Sequence, residues 1–194
     1  MAAEPAEHCG GLTLVLGGSR SGKSRWAEAL AERSGQPVLY LATAAQRPDD
    51  PAWCARLARH RQRRPADWAC LETGPDLAGA LERLQDPHDP HADHLLLIDA
   101  LGTWLAQHLD ADASSWNARQ QDLLAALRRH RTPVLLVCEE VGLGVVPSTA
   151  VGGLFRDRMG ALQQALMAQA AGSWLVVAGR AIDLQALGQP VPQV

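Results

Sequence analysis

Gly17, Gly18, Ser19, Arg20, Ser21, Gly22, Lys23 and Ser24 follow the apolar run 12–16 directly and precede a segment with helical periodicity. They fit G-x-x-x-x-G-K-[ST] in a strand, loop, helix setting, which predicts a turn built to hold phosphate. Gly17, Gly18 and Gly22 permit a tight backbone whose N–H groups approach phosphate oxygens. The helix that follows points its positive dipole end at the same anion. Lys23 brings a full charge to the β and γ phosphates, and the Ser24 hydroxyl suits Mg²⁺. Lys23 is the chain's only lysine against seventeen arginines, so a step needing an ammonium has one candidate. The competing account is a chance glycine turn before a helix. The motif specifies a nucleoside triphosphate, not which base or which reaction.

Asp99 closes the apolar run 95–98. A carboxylate at the carboxyl end of a buried strand is where such a protein holds Mg²⁺ from its second side. Its alternative role is to cap a helix beginning at 100–101. His60 lies among Arg56, Arg59, Arg61, Arg63 and Arg64, five arginines in nine positions of a chain whose net charge is −3. A solvated basic helix face with an incidental histidine would look the same. The functional reading is chemical. Surrounding guanidinium groups disfavour the imidazolium, so the ring stays a nucleophile near neutral pH. Arginines also clamp phosphate in bidentate fashion. A histidine so placed can take up a phosphoryl or nucleotidyl group as a phosphoramidate.

Those groups need a frame. The apolar runs 12–16, 37–41, 95–98, 133–137 and 174–177 are continuous, not alternating, as in parallel strands covered on both faces. A weaker sixth candidate spans 68–72. Helices are expected over 23–33, 51–63, 76–84, 114–131 with Ser114 as its cap, and 154–171. Strand and helix alternate, so the fold class is α/β, an open, mostly parallel sheet with helices on both faces. Residues 140–144 (E-V-G-L-G) read either as a substrate loop at the sheet's carboxyl edge or as a plain strand-to-helix turn. His88, His91 and His94 sit in a Pro-rich loop and read as solvated residues.

Composition narrows the function. The chain has 194 residues, with 18 basic against 21 acidic. That balance argues against a nucleic-acid binder. No run reaches the ~18 apolar residues of a membrane span. Cys9, Cys54, Cys70 and Cys138 form no C-x-x-C pair. They read as reduced thiols of a cytoplasmic protein.

Taken together, these segments resemble the bifunctional adenosylcobinamide kinase / adenosylcobinamide-phosphate guanylyltransferases of cobalamin biosynthesis, over residues 12–179. The resemblance is carried by the G-G-x-R-S-G-K-S turn followed by Arg25, by L-Y-L-A-T at 39–43, and by R-x-x-x-H-R-x-R-R-P at 56–65 followed by Trp68. Further segments are L-I-D-A-L-G-T-W-L at 97–105, E-V-G-L-G-V-V-P at 140–147, Phe155-Arg156-Asp157, and residues 174–179. It implies a single P-loop NTPase domain of RecA-like type over 11–184, between tails at 1–10 and 185–194. It implies phosphorylation of adenosylcobinamide by a nucleoside triphosphate, ATP or GTP, then GMP transfer from GTP through a guanylyl-histidine at His60. The nucleotide contacts it implies are residues 17–24, Ala42, Thr43, Ala44, Arg61, Gln62, Arg63, Arg64, Glu72 and Asp99, with Ser24 and Asp99 on Mg²⁺. It also implies a homo-oligomer, commonly a trimer. The chain departs from the pattern in three places. Arg59 stands where some members have a second histidine, Cys138-Glu139 replaces a familiar Thr-Asn pair, and 86–94 looks inserted. Two further readings stay open, a small-molecule kinase without nucleotidyl transfer and a nucleotide-responsive regulatory protein.

Overall fold

A computed structural model of the chain describes residues 11–45, 49–51, 54, 55, 58, 61, 62 and 64–192. Its strands are β1 (Gly11–Gly17), β2 (Val38–Ala42), β3 (Ala69–Glu72), β4 (Leu95–Asp99), β5 (Pro133–Glu139), β6 (Gly172–Val177) and β7 (Arg180–Asp183). They form one sheet in the order β3-β2-β4-β5-β1-β6-β7. Every pairing is parallel except β6 with β7. The helices are α1 (Lys23–Arg33), α2 (Leu77–Arg83), α3 (Leu101–Ala106), α4 (Ala113–Arg129), α5 (Ala150–Met167) and α6 (Leu184–Leu187). Pro51, Cys54, Ala55, Ala58, Arg61 and Gln62 are also helical, within the expected 51–63.

The continuous apolar runs are explained by two cores, one on each face. Alternate strand residues point to opposite faces. Leu12, Leu14 and Leu16 of β1, Leu96 and Ile98 of β4, and Val134 and Leu136 of β5 meet Leu81 of α2, Trp104 of α3, Leu123 of α4 and Met159 of α5. Val15, Tyr40, Leu97 and Val137 meet Ala27 and Ala31 of α1 on the other face. A strand buried on both sides cannot alternate, so its sequence is apolar throughout.

Several elements differ from expectation. α4 is capped by Asp112, whose carboxylate accepts the Ser115 N–H at 2.8 Å, not by Ser114. α5 starts at Ala150, four residues before 154, because Thr149 accepts the Gly152 N–H at 3.2 Å and carries the helix through Gly152-Gly153. The same helix ends at Met167, and Ala171 N–H already bonds Leu12 O of the sheet at 2.8 Å. β7 was not expected. Residues 178–179 join it to β6, with Ala178 at φ 49° and Gly179 at φ 74°, as a two-residue hairpin turn of the primed type needs.

Candidate functional site

The parallel strands bring their carboxyl ends to one edge. Ala42 pairs with Asp99, Asp99 with Val137, and Gly17 with Glu139. Residues that are far apart in sequence thus line one rim, where open α/β sheets bind ligands.

The turn from β1 into α1 is tight for stated reasons. A Cβ on Gly17 would lie 2.5 Å from Ser21 Oγ and 2.6 Å from Val176 O, so only glycine fits. Gly22 has φ 102°, a left-handed conformation costly for other residues. Gly18 differs: nothing approaches its Cβ position, and its small size leaves the outer side of the turn open. Arg20 also adopts positive φ, 56°. Ser21 and Lys23 are buried, whereas Ser19 and Arg20 form the exposed tip. Ser21 Oγ accepts the Lys23 N–H at 3.3 Å, and Lys23 Nζ reaches back to Gly18 O at 3.5 Å. The β6–β7 hairpin braces the turn, with Gly179 N–H donating to Ser21 O at 3.0 Å.

Asp99 is half-buried and accepts the Tyr40 hydroxyl at 2.9 Å. Burial, with the Asp99 charge second, drives the Tyr40 phenol far above its ordinary range, so it remains a donor. Thr43 is fully buried. Its hydroxyl donates to Ala100 O at 2.6 Å and accepts the Ala100 N–H at 3.0 Å, and its carbonyl accepts Gln107 Nε2 at 2.7 Å. Its side chain thereby fixes the backbone next to Asp99. Ala44, two residues beyond β2, is half-buried.

The arginine-rich segment meets the same rim. Arg61 pairs with Glu72 at 2.7 Å, both exposed. The Arg64 guanidinium lies 3.9 Å from the Tyr40 ring centroid and donates to Cys70 Sγ at 3.3 Å. Arg64, Tyr40 and Asp99 thus form a chain of contacts from this segment to the rim. Gln62 is exposed. His60 and Arg63, with Arg56 and Arg59, lie outside the described residues.

Glu139 was not singled out for the site. β5 stands between the strand bearing the phosphate turn and the strand bearing Asp99, and Glu139 ends it. One carboxylate oxygen accepts the Gly102 N–H at 2.7 Å. A Cβ on Gly102 would come within 2.8 Å of the Glu139 carboxyl carbon, so that glycine makes room for the acid. Burial pushes the Glu139 carboxyl up and Asp99 adds to the rise, while Lys23 and the Gly102 N–H oppose it. The available signal was an acid closing an apolar strand, the same one that marked Asp99.

A glycine turn between the first strand and its helix, a buried lysine inside it, and carboxyl groups on the adjoining strand ends define an α/β protein of the P-loop nucleoside-triphosphate class. A model of the family described as cobinamide kinase / cobinamide phosphate guanyltransferase matches residues 13–184. The bifunctional adenosylcobalamin biosynthesis protein CobU of Escherichia coli is 37% identical over 188 residues, covering 90% of this chain and 99% of the relative. The corresponding CobP of Pseudomonas aeruginosa is 38% identical over 179 residues, 92% of this chain and 98% of the relative. CobU of Salmonella typhimurium is 35% identical over 188 residues, with 90% and 99% covered. The chain belongs to the cobinamide kinase / cobinamide phosphate guanyltransferase family. Among the described residues, no helix is long and apolar enough to cross a membrane.

Proposed function

We propose that this protein phosphorylates adenosylcobinamide with a nucleoside triphosphate, ATP or GTP, and then transfers GMP from GTP to the product. The observation that carries this reading is the phosphate turn, closed around Gly17 and holding the buried Lys23. In the first step the substrate hydroxyl oxygen attacks the γ-phosphorus, nucleoside diphosphate leaves, and the hydroxyl proton passes to solvent. In the second, a ring nitrogen of His60 attacks the α-phosphorus of GTP and pyrophosphate leaves. A phosphate oxygen of adenosylcobinamide phosphate then attacks that phosphorus. The P–N bond breaks, histidine is regenerated, and adenosylcobinamide-GDP forms.

Both steps are attacks on phosphorus, where positioning and charge neutralisation dominate. The backbone N–H groups of residues 17–24 and the Lys23 ammonium hold the β and γ phosphates. Ala42, Thr43 and Ala44 line the rim, where Thr43 contributes backbone since its hydroxyl is engaged internally. Arg61, Gln62, Arg63, Arg64 and Glu72 supply donors and an acceptor for the guanine nucleotide. The hydroxyl of Ser24 and the carboxylate of Asp99 are hard oxygen donors, the kind Mg²⁺ takes while keeping waters and phosphate oxygens. Bound there, Mg²⁺ would neutralise charge developing on the phosphates. Asp99 is already oriented for this by Tyr40. Cys54, Cys70 and Cys138 are thiols rather than disulfides, which suits a cytoplasmic enzyme. From the family resemblance we take a homo-oligomer, a trimer.

The test is incubation with α-labelled GTP and Mg²⁺, followed by peptide mapping. Wild type should carry an acid-labile label on His60. His60→Ala should lose the label and the guanylyl transfer yet keep most of the phosphorylation. Lys23→Ala should lose both steps. A label that survives in His60→Ala refutes the assigned nucleophile. Unchanged kinetics in Lys23→Ala refute the assigned phosphate site.

A further inference from the structure

We infer that the segment 143–151, between β5 and the first turn of α5, is the seat of the corrinoid macrocycle. Ten large hydrophobic residues are exposed among those described, and five of them, Leu143, Val145, Val146, Val151 and Leu154, fall within twelve positions. Scattered exposed apolar residues are ordinary, but a concentration marks a contact surface. Leu143, Val145 and Val146 are 83%, 94% and 69% exposed.

This exposure is built rather than incidental, because both ends of the loop are anchored. Glu140 Oε1 accepts the N–H groups of Gly142 at 2.6 Å and Leu143 at 3.3 Å. Val141 packs against the main core. At the far end Thr149 caps α5, and Pro147 lies against Gly152, where a Cβ would come within 2.7 Å of its ring. Between those anchors the aliphatic side chains face solvent.

Position and charge select the occupant. Glu140 N–H donates to Gly17 O at 2.9 Å, so the loop springs from the first glycine of the phosphate turn. A molecule lying on the loop has its edge beside the phosphates held by that turn. Residues 141–155 contain no charged side chain. That surface does not suit a polyanionic nucleotide. It suits a large ring with an aliphatic periphery and amide side arms, whose amides can bond the Ser148 hydroxyl and backbone groups of the loop. The family's acceptor, cobinamide, has this chemistry. The inference rests on the proposed function and extends it, since none of the exposed large hydrophobic residues among those described lies in the phosphate turn or the arginine segment.

The experiment compares Val145→Ser, the double variant V145S/V146S, and Val146→Ile with wild type. Val145 is almost wholly exposed in the free chain, so its replacement leaves the fold intact. Three quantities are read: the KM for adenosylcobinamide in the phosphorylation step, the rate of self-guanylylation by GTP without corrinoid, and the molar mass in solution. The double variant should raise the corrinoid KM about tenfold or more, a loss of about 1.4 kcal/mol of binding. Val146→Ile, which keeps an apolar side chain on the surface, should raise the corrinoid KM far less than the double variant. Self-guanylylation and mass should stay unchanged in all three. An unchanged corrinoid KM in V145S/V146S overturns the inference while leaving the proposed function standing. So does a fall in molar mass, which would assign the surface to a second copy of the chain. Wild type that labels itself with GTP yet never phosphorylates adenosylcobinamide overturns the proposed substrate, and this inference with it.

Discussion

At the scale of single residues, the site gathers groups that would not lie together without the sheet. Glu139 is the sharpest case, because a carboxyl is held in a buried place with only partial compensation. Its folded pKa is raised above the ordinary 4.5, by burial first. A carboxyl raised on folding contributes stability that is fully present below its unfolded pKa and lost as pH rises through its folded one. At pH 8, well above the unfolded pKa, folding must therefore either bury the charge or take up a proton, and either weighs against the fold. Glu139→Gln keeps an oxygen that accepts the Gly102 N–H, and it removes the charge. In the absence of nucleotide, its Tm should exceed that of wild type at pH 8, and the gap should close as pH falls to about 4. Thermal melts across that range check it. If the glutamine variant is the less stable one at pH 8, attraction to Lys23 outweighs desolvation. Tyr40 and Asp99 show the opposite design, a donor fixed on an acceptor at 2.9 Å.

At the scale of elements, the helices of the main core are pinned by polar contacts as well as by packing. Arg158, buried on α5, donates to His108 O at 2.8 Å and to Ala111 O at 2.5 Å, and its guanidinium lies 4.9 Å from the Trp116 ring centroid. It donates to the Ala111 carbonyl and adds a second donor to the His108 carbonyl, which also accepts the Ala111 N–H at 3.2 Å, in the connection between α3 and α4. Arg158→Met should cost about 3 kcal/mol and lower the Tm by about 6–12 °C. Arg158→Lys should restore little of this, because an ammonium cannot span the same fork. Activity below the lowered Tm should persist, since the phosphate turn is untouched. Full activity with an unaltered melt would mean that solvent replaces the guanidinium. The elements themselves were legible in unequal measure. Six strands stood out because five are buried on both faces and β3 keeps a recognisable apolar start. β7 did not, since Arg180–Asp183 is a short polar edge strand whose only signal is the turn before it. Helix starts were missed where the cap lay earlier than the apolar stripe, at Asp112 and Thr149. The turn between β1 and α1 was readable because the glycines that shape it lie close together in sequence. The Tyr40–Asp99 bond spans 59 positions, and the Gly102–Glu139 bond spans 37. Such pairs exist only once strand order and register are known.

At the scale of the whole molecule, the phosphate turn is not an appendage whose ordering leaves the rest unaffected. β1 lies inside the sheet between β5 and β6, and the turn that follows it is tied to the β6–β7 hairpin and to the residue after β5. The turn cannot open without disturbing the central strands, so nucleotide binding should register as global stability. A ligand that binds only the folded state adds about 2.7 kcal/mol at a hundredfold excess over its Kd. For a chain of this size that is a rise in Tm of about 5–11 °C. With GTP and Mg²⁺ present, wild type should show this rise, and amide exchange in β1, β5 and β6 should slow together. Lys23→Ala retains the sheet but loses the charge within the turn, so its Tm should be nearly flat with GTP. A non-hydrolysable GTP analogue should stabilise wild type as GTP does, which separates binding from turnover. If Lys23→Ala gains as much from GTP as wild type, the triphosphate is held elsewhere on the molecule. If wild type gains stability only at the exposed tip, with no change in the central strands, the turn and the sheet are not coupled.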